Sequence, residues 1–71
     1  MNQEIALFNL LKTVDLDSYA EDLIKLQVYS YRLVEFDDHE MNELATLINM
    51  PIGDKHDLKK LIKGLRQENS P

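Results

Sequence analysis

The sequence contains no cysteine and no tryptophan, and only two glycines and two prolines among its 71 residues. Without cysteine the chain can form neither a disulfide framework nor a thiolate zinc site. No stretch approaches the ~18 apolar residues that a membrane span requires, and the short apolar run near the N-terminus lacks the flanking residues of a signal peptide. We therefore predict one domain over residues 1–71, with its core within 5–66 and a frayed tail at 67–71.

Charge is distributed unevenly along the chain, whose net charge is −5. Residues 1–43 contain ten acidic and three basic residues, which gives −7, whereas residues 44–71 contain three acidic and five basic residues, which gives +2. An acidic front half and a basic C-terminal part make a dipolar molecule. This asymmetry bears on the partners that the molecule can bind.

Apolar residues recur at helical spacing through almost the whole chain. The clearest stripes follow positions i, i+3, i+4 and i+7, which is the spacing of one buried helix face. They are Leu7, Leu10, Leu11 and Val14, then Met41, Leu44, Ala45 and Ile48, then Leu58, Leu61, Ile62 and Leu65. Residues 28–36 are predicted to form a short helix or turn, since a lone strand would have no pairing partner. The sequence predicts an all-α, compact five-helix bundle in which the C-terminal helix is the longest.

Polar residues mark where these helices begin and end. Two pairs fit the capping box, in which side chains and backbone N–H groups bond reciprocally across the first turn. The pairs are Ser18 with Glu21 and Asp37 with Glu40. Asp54 is expected to be the N-cap of the last helix, with Asp57 at the reciprocal position. Pro51 is expected to end the fourth helix, because its ring clashes with the preceding turn.

The core of so small a chain is formed by a few large apolar side chains. A domain of this size buries only ~60% of the surface of its unfolded chain and rarely has room for a deep substrate pocket. The side chains expected to be most buried are Leu11, Leu23, Phe36, Leu44, Leu58 and Ile62.

Potential chemical sites compete with simpler structural explanations. Asp54, His56 and Asp57 lie close together and could bind a metal, but zinc takes about four ligands and helix capping already explains both aspartates. His39 opens a stretch like the His-Glu-x-x-His zinc helix, yet Glu43 stands where the second histidine belongs. No serine or threonine lies in a glycine-rich elbow that could support nucleophilic catalysis. We therefore expect no enzymatic activity, no metal, no cofactor and no small-molecule substrate.

The last helix has a basic face of four lysines and one arginine. These residues are Lys55, Lys59, Lys60, Lys63 and Arg66. Such a face could bind RNA or an anionic lipid surface, which is one open alternative. The acidic remainder of the chain would repel a polyanion, so a solvated lysine face is the better interpretation.

The pattern of apolar and polar residues resembles the sterile alpha motif (SAM) domain over residues 5–66. The resemblance rests on Val14-Asp15-Leu16-Asp17-Ser18-Tyr19, Leu23, Val28, Leu33, Phe36, Asp37-Asp38-His39-Glu40-Met41, Ile52-Gly53, Leu58, Ile62 and Leu65. The tryptophan often found in the first helix of the family is absent, and Asp54-Lys55 replaces the family's His-Arg pair. That replacement is similar to SAM domains at the N-termini of some microtubule-depolymerising kinesins.

The resemblance implies a protein–protein interaction module of a larger cytoplasmic protein, with a cytoskeletal location implied by the kinesin likeness. It also implies two binding surfaces. The mid-loop face carries Glu35, Asp37, Asp38, Glu40 and Glu43. The end-helix face carries Lys55, His56, Lys59 and Lys60. Opposite charges on two patches permit head-to-tail contact between copies, or contact with another SAM-like domain. A further alternative is that the domain binds nothing and only spaces its neighbouring domains.

Two of the lysines lie where the helix dipole does not favour them. Lys55 is in the first turn of the last helix and Lys59 is one turn later, so both can project from the same side. Cations near a helix N-terminus are slightly unfavourable. We therefore expect Lys55 and Lys59 to meet an acidic surface on another molecule.

Overall fold

The computed structural model describes residues 2–68. Within this range the chain forms five α-helices and no strand, so the predicted all-α fold is confirmed. The helices are α1 Gln3–Lys12, α2 Ala20–Lys25, α3 Ser30–Leu33, α4 Asp38–Leu47 and α5 Ile52–Glu68, and a 3₁₀ turn, Asp17–Tyr19, precedes α2.

The last helix, α5, is the longest, with 17 residues. It includes the first two residues of the tail that was expected to fray, while residues 69–71 lie outside the described range. No helix within residues 2–68 combines the length and the apolar character that crossing a membrane requires.

The core is one cluster of buried apolar side chains to which all five helices contribute. Five of the six side chains expected there are buried, namely Leu11, Leu23, Leu44, Leu58 and Ile62. Phe36 is different, because it packs against the core but is only partly buried. Phe36 lies in the connection between α3 and α4, where it also lines two surface grooves. The expectation that Phe36 belongs to the most buried residues is therefore wrong.

Three helices end at a left-handed residue that is not glycine. Asp15 after α1, Gln27 after α2 and Asn49 after α4 have φ angles of 59°, 59° and 56°. In each case the next residue donates its N–H to the carbonyl five positions earlier, at 2.8–2.9 Å, as in a Schellman motif. The donors are the buried residues Leu16, Val28 and Met50. Each helix end therefore returns the chain to the core. Pro51 was expected to stop α4, but the helix already ends before this residue, at the left-handed Asn49.

One of the two predicted capping boxes is present. Asp37 Oδ1 accepts the N–H of Glu40 at 2.8 Å, and Glu40 Oε1 accepts the N–H of Asp37 at 3.1 Å. The box predicted at Ser18 and Glu21 is wrong, since α2 starts without a side-chain cap. A 3₁₀ turn precedes α2, and the N–H of Ala20 already donates to a carbonyl within that turn.

The last helix begins at Ile52, three residues earlier than an N-cap at Asp54 predicts. The N–H of Lys55 donates to the carbonyl of Pro51 at 2.9 Å, which closes the first turn. Asp54 therefore lies inside this turn and is not the N-cap. Its carboxylate instead accepts a hydrogen bond from the hydroxyl of Tyr19 at 2.6 Å.

Candidate protein-binding surfaces

The mid-loop and end-helix faces meet at an ion pair between α4 and α5. Lys59 Nζ lies 2.8 Å from Asp38 Oδ1 and donates to Asn42 Oδ1 at 3.0 Å. The hydrogen bond from Lys59 holds the pKa of the Asp38 carboxyl below its usual value. The side chain of Lys59 is only 29% exposed. Its acidic partner therefore belongs to the same molecule, and the expectation that Lys59 binds a second molecule is corrected.

A second cation of the basic face also has partners within the molecule. The guanidinium of Arg66 donates to the carbonyl oxygen of Val34 at 2.7 Å and to that of Phe36. Both carbonyls lie in the connection between α3 and α4, so these bonds fasten the end of α5 to that connection. Three lysines of the basic face have no ion pair within residues 2–68, namely Lys55, Lys60 and Lys63.

A groove of about 250 Å³ lies on the acidic side of α4. Its walls come from the end of α2, the connection between α3 and α4, and α4 itself. They consist of Leu26, Val28, Phe36, Glu40, Glu43, Leu44 and Leu47, and we call this surface the acidic groove. Leu47 is 70% exposed and Leu26 is 44% exposed, so two large apolar side chains face water at its edge.

Two carboxylates lie beside this apolar surface. Glu40, Glu43 and Leu47 are spaced at i, i+3 and i+7, which places them on one side of α4. Glu43 pairs with His39 at 3.0 Å, and one oxygen of Glu40 accepts the N–H of Asp37 in the capping box. Both glutamates are nevertheless exposed. The acidic groove is therefore apolar in its centre and negatively charged at its edge.

The remaining residues of the predicted mid-loop face lie elsewhere. Asp37 and Asp38 line a neighbouring groove of about 310 Å³ between α4 and α5. Glu35 is exposed and lines neither of these two grooves. The structure therefore divides the predicted mid-loop face, and it places Glu40 and Glu43 beside the exposed side chains of Leu26 and Leu47.

The first turn of α5 presents an exposed apolar side chain close to a lysine. Ile52 is 80% exposed. Lys55 and His56 follow it by three and four residues, so they are its neighbours on the helix surface, and Lys60 lies one turn beyond His56. We call Ile52, Lys55, His56 and Lys60 the α5 knob. Lys55 is half-buried and the other three are exposed, so three of the four residues predicted for the end-helix face lie here.

A hydrogen bond from another part of the chain holds the first turn of α5 in place. The hydroxyl of Tyr19 donates to Asp54 Oδ2, and this bond raises the pKa of Tyr19 above its ordinary value. It joins the 3₁₀ turn before α2 to the turn that carries Ile52. The position of the α5 knob therefore depends on a tertiary contact as well as on the helix itself.

Sequence reasoning did not identify Leu26, Leu47 and Ile52 as candidate binding residues. A signal for one of them was present, because Leu47 shares a helix side with Glu40 and Glu43. The other two carry no such signal. Whether an apolar residue at a helix end is covered depends on how the neighbouring helices pack, and local spacing does not report this.

The histidines do not form a metal site with the acidic residues around them. Within residues 2–68, no three His, Asp or Glu side chains come together as a metal ion would require. His39 is exposed and pairs with Glu43, and His56 is exposed on the α5 knob.

Comparison of the chain with family models, curated proteins and solved structures finds no match. The likeness to SAM domains therefore rests on the residue pattern alone.

Proposed function

We propose that this chain is a protein-interaction module that binds a second copy of itself head to tail, with the α5 knob of one copy in the acidic groove of the next. One observation carries the proposal. A single molecule presents both an apolar groove edged by carboxylates and an exposed isoleucine edged by cations. Contact between these surfaces would remove Ile52, Leu26 and Leu47 from water, which is the main favourable contribution to association.

The charges of the two surfaces fit the same contact. Lys55 lies about one turn from the isoleucine and Lys60 about two turns from it, whereas Glu40 and Glu43 border the groove. Complementary charges fix the orientation of two partners and speed their encounter more than they add to affinity. Because Lys60, Glu40 and Glu43 are exposed, salt should weaken the association.

The symmetry of the contact follows from the positions of the two surfaces. The groove and the knob use different residues, so each copy offers one of each. A heterologous contact of this kind leaves a free groove at one end and a free knob at the other. Copies therefore add one after another, and the expected product is an open filament or a ring.

The SAM resemblance supports the proposal independently of the geometry, since it implies two such surfaces on a binding module without catalytic chemistry. Under the same resemblance the module belongs to a larger cytoplasmic protein. A second SAM-like domain could replace one of the two copies, because it would need to supply only one of the two surfaces.

RNA or anionic-lipid binding by the basic face is less favoured. Lys59 and Arg66 are held by Asp38 and by backbone carbonyls, so two of the five cations already have partners. The whole chain is at −5, which opposes approach to a polyanion.

Sedimentation velocity over a range of protein concentrations, at low and at high salt, tests the proposal. The parent should form larger species as concentration rises, and fewer of them at high salt. Leu47→Glu in the groove and Ile52→Glu in the knob should each stop this growth. Tyr31→Glu is the matched control, because Tyr31 is exposed but lies on neither surface.

A parent that stays monomeric under all these conditions would contradict self-association and direct attention to a different partner. Binding of an RNA hairpin or of anionic vesicles by the parent, lost on Lys60→Glu with Lys63→Glu, would favour the alternative.

A further inference from the structure

A third surface, on α1, is used by neither the acidic groove nor the α5 knob. The inner side of α1 buries Leu7 and Leu11 completely. Its outer side leaves Ile5 58% exposed and Phe8 40% exposed. Helix α1 therefore has apolar residues on its solvent side, although its contribution to the core is already made by the other side.

Two opposite charges stand at equal distances from Phe8 along this helix. Glu4, Phe8 and Lys12 are four residues apart, so they form one ridge on the helix surface. All three are exposed, and the Nζ of Lys12 lies 5.9 Å from the centre of the Phe8 ring. At a rise of about 1.5 Å per residue, Glu4 and Lys12 each lie about 6 Å from Phe8 along the axis.

We propose that α1 pairs antiparallel with α1 of a second copy, around a twofold axis that passes close to Phe8. In this arrangement Glu4 of each copy is level with Lys12 of the other, because both stand four residues from the axis. The two phenylalanine rings meet at the centre, and Ile5 of each copy adds apolar contact beside them. The contact is isologous, since both copies use the same surface.

The charges select this orientation and this occupant. A parallel pair would set Glu4 beside Glu4 and Lys12 beside Lys12, which is repulsive. The ridge carries one acid and one base, so it does not attract a strongly basic or a strongly acidic partner. A second copy turned end to end satisfies both charges at once.

The expected dimer is weak. A single pair of short helices buries much less than the ~800 Å² per partner of a standard interface. Combined with head-to-tail contacts, however, such a dimer would join two rows of molecules side by side. The two associations use different surfaces and can be tested separately.

The experiment uses the Leu47→Glu chain, in which head-to-tail growth is blocked, and measures dimer formation by sedimentation equilibrium at high protein concentration and low salt. Glu4→Lys and Lys12→Glu should each raise the dimer dissociation constant about tenfold, because each replaces two attractive pairs by two repulsive ones. The double exchange, Glu4→Lys with Lys12→Glu, should restore dimerisation. Circular dichroism checks that each variant keeps its helical structure.

Glu21→Lys is the matched control. Glu21, like Glu4, is an exposed acid with a lysine nearby, but it lies on α2, where its i,i+4 neighbour is Lys25. It makes the same change of charge away from α1 and should leave the dissociation constant unchanged. The proposal is overturned if the Leu47→Glu chain shows no dimer at any concentration. It is also overturned if the α1 variants behave like the control, or if the double exchange fails to restore the dimer. If Leu47→Glu assembles as far as the parent does, the head-to-tail proposal fails instead.

Discussion

The hydroxyl of Tyr19 donates a 2.6 Å hydrogen bond to the carboxylate of Asp54 and thereby joins residues that are 35 positions apart in the chain. This bond links the 3₁₀ turn before α2 with the first turn of α5. The carboxylate that was expected to cap a helix therefore binds another part of the molecule. It holds the turn that presents Ile52 to solvent.

Removing the hydroxyl with Tyr19→Phe should lower the free energy of unfolding by about 1 kcal/mol at neutral pH, since one hydrogen bond is lost. The pKa of Tyr19 is raised in the folded state. The contribution of the bond is therefore complete below the unfolded pKa of about 10 and is lost as the pH rises through the folded pKa. Denaturant unfolding should show a steeper alkaline loss of stability in the parent than in Tyr19→Phe.

Tyr31→Phe is the control for this measurement, because it removes an exposed hydroxyl from α3. It should leave the stability at neutral pH unchanged. Identical alkaline profiles for the parent and Tyr19→Phe would show that the bond to Asp54 makes no contribution.

The pair between Asp38 and Lys59 should make stability sensitive to acid. The pKa of Asp38 is lowered by the hydrogen bond from Lys59. Its contribution is therefore present above the unfolded pKa of about 3.9 and is lost as the pH falls through the folded pKa. Asp38→Asn should flatten the pH dependence of unfolding in this acidic range.

A double-mutant cycle separates the pair from its surroundings. Lys59→Met and Asp38→Asn together should cost less than the sum of their separate costs, because both remove the same interaction. Lys63→Met is the control, since Lys63 lines the same groove but makes no ion pair within residues 2–68. Simple additivity for Asp38 and Lys59 would mean that their contact contributes nothing.

The left-handed conformation of Gln27 offers a stabilising substitution. A residue with a Cβ atom is strained at a φ of 59°, whereas glycine is not. Gln27→Gly should therefore raise the free energy of unfolding by about 0.5–1 kcal/mol. Lys25→Gly, two residues earlier and inside α2, should lower it by about the same amount. If denaturant unfolding showed that both variants lower the free energy of unfolding equally, the left-handed helix end at Gln27 would be contradicted.

The buried face of α5 should dominate the stability of the domain. Leu58 is 1% exposed, and Leu58→Ala should cost about 2–5 kcal/mol through lost apolar contact and the cavity that remains. Leu61→Ala, at a half-buried position of the same helix, should cost less. Chemical denaturation that ranks the two variants in the opposite order would mean that α5 packs on a different face.

The main features of the fold could be predicted because they depend on local patterns. The stripe that contains Leu11 and the stripe that contains Leu58 each define one helix and its buried side. The Asp37 box depends on four consecutive residues and is present. The local pattern does not determine where α5 starts, because a helix that begins at Ile52 has the same apolar stripe as one that begins after Asp54. The contact with Tyr19 lies outside any local window.

The candidate surfaces could be predicted only in part. The sequence predicted Glu40 for one face and Lys55 for the other, and the proposed contact uses both residues; this assignment stays a prediction. Lys59 was misinterpreted, because the helix-dipole argument considers α5 by itself. Its acidic partner comes from α4, and only the packing of the two helices brings Asp38 within 2.8 Å.

Mixing two blocked variants tests head-to-tail binding most directly. Leu47→Glu lacks a working groove but keeps its α5 knob, and Ile52→Glu lacks a working knob but keeps its acidic groove. Each should sediment mainly as a monomer at concentrations where the parent forms larger species. Mixed in equal amounts, at concentrations below those at which α1 pairs, they should form a one-to-one complex that does not grow further, because its remaining groove and its remaining knob are both blocked. A mixture that sediments as two independent monomers, under conditions where the parent associates, would contradict the proposed contact.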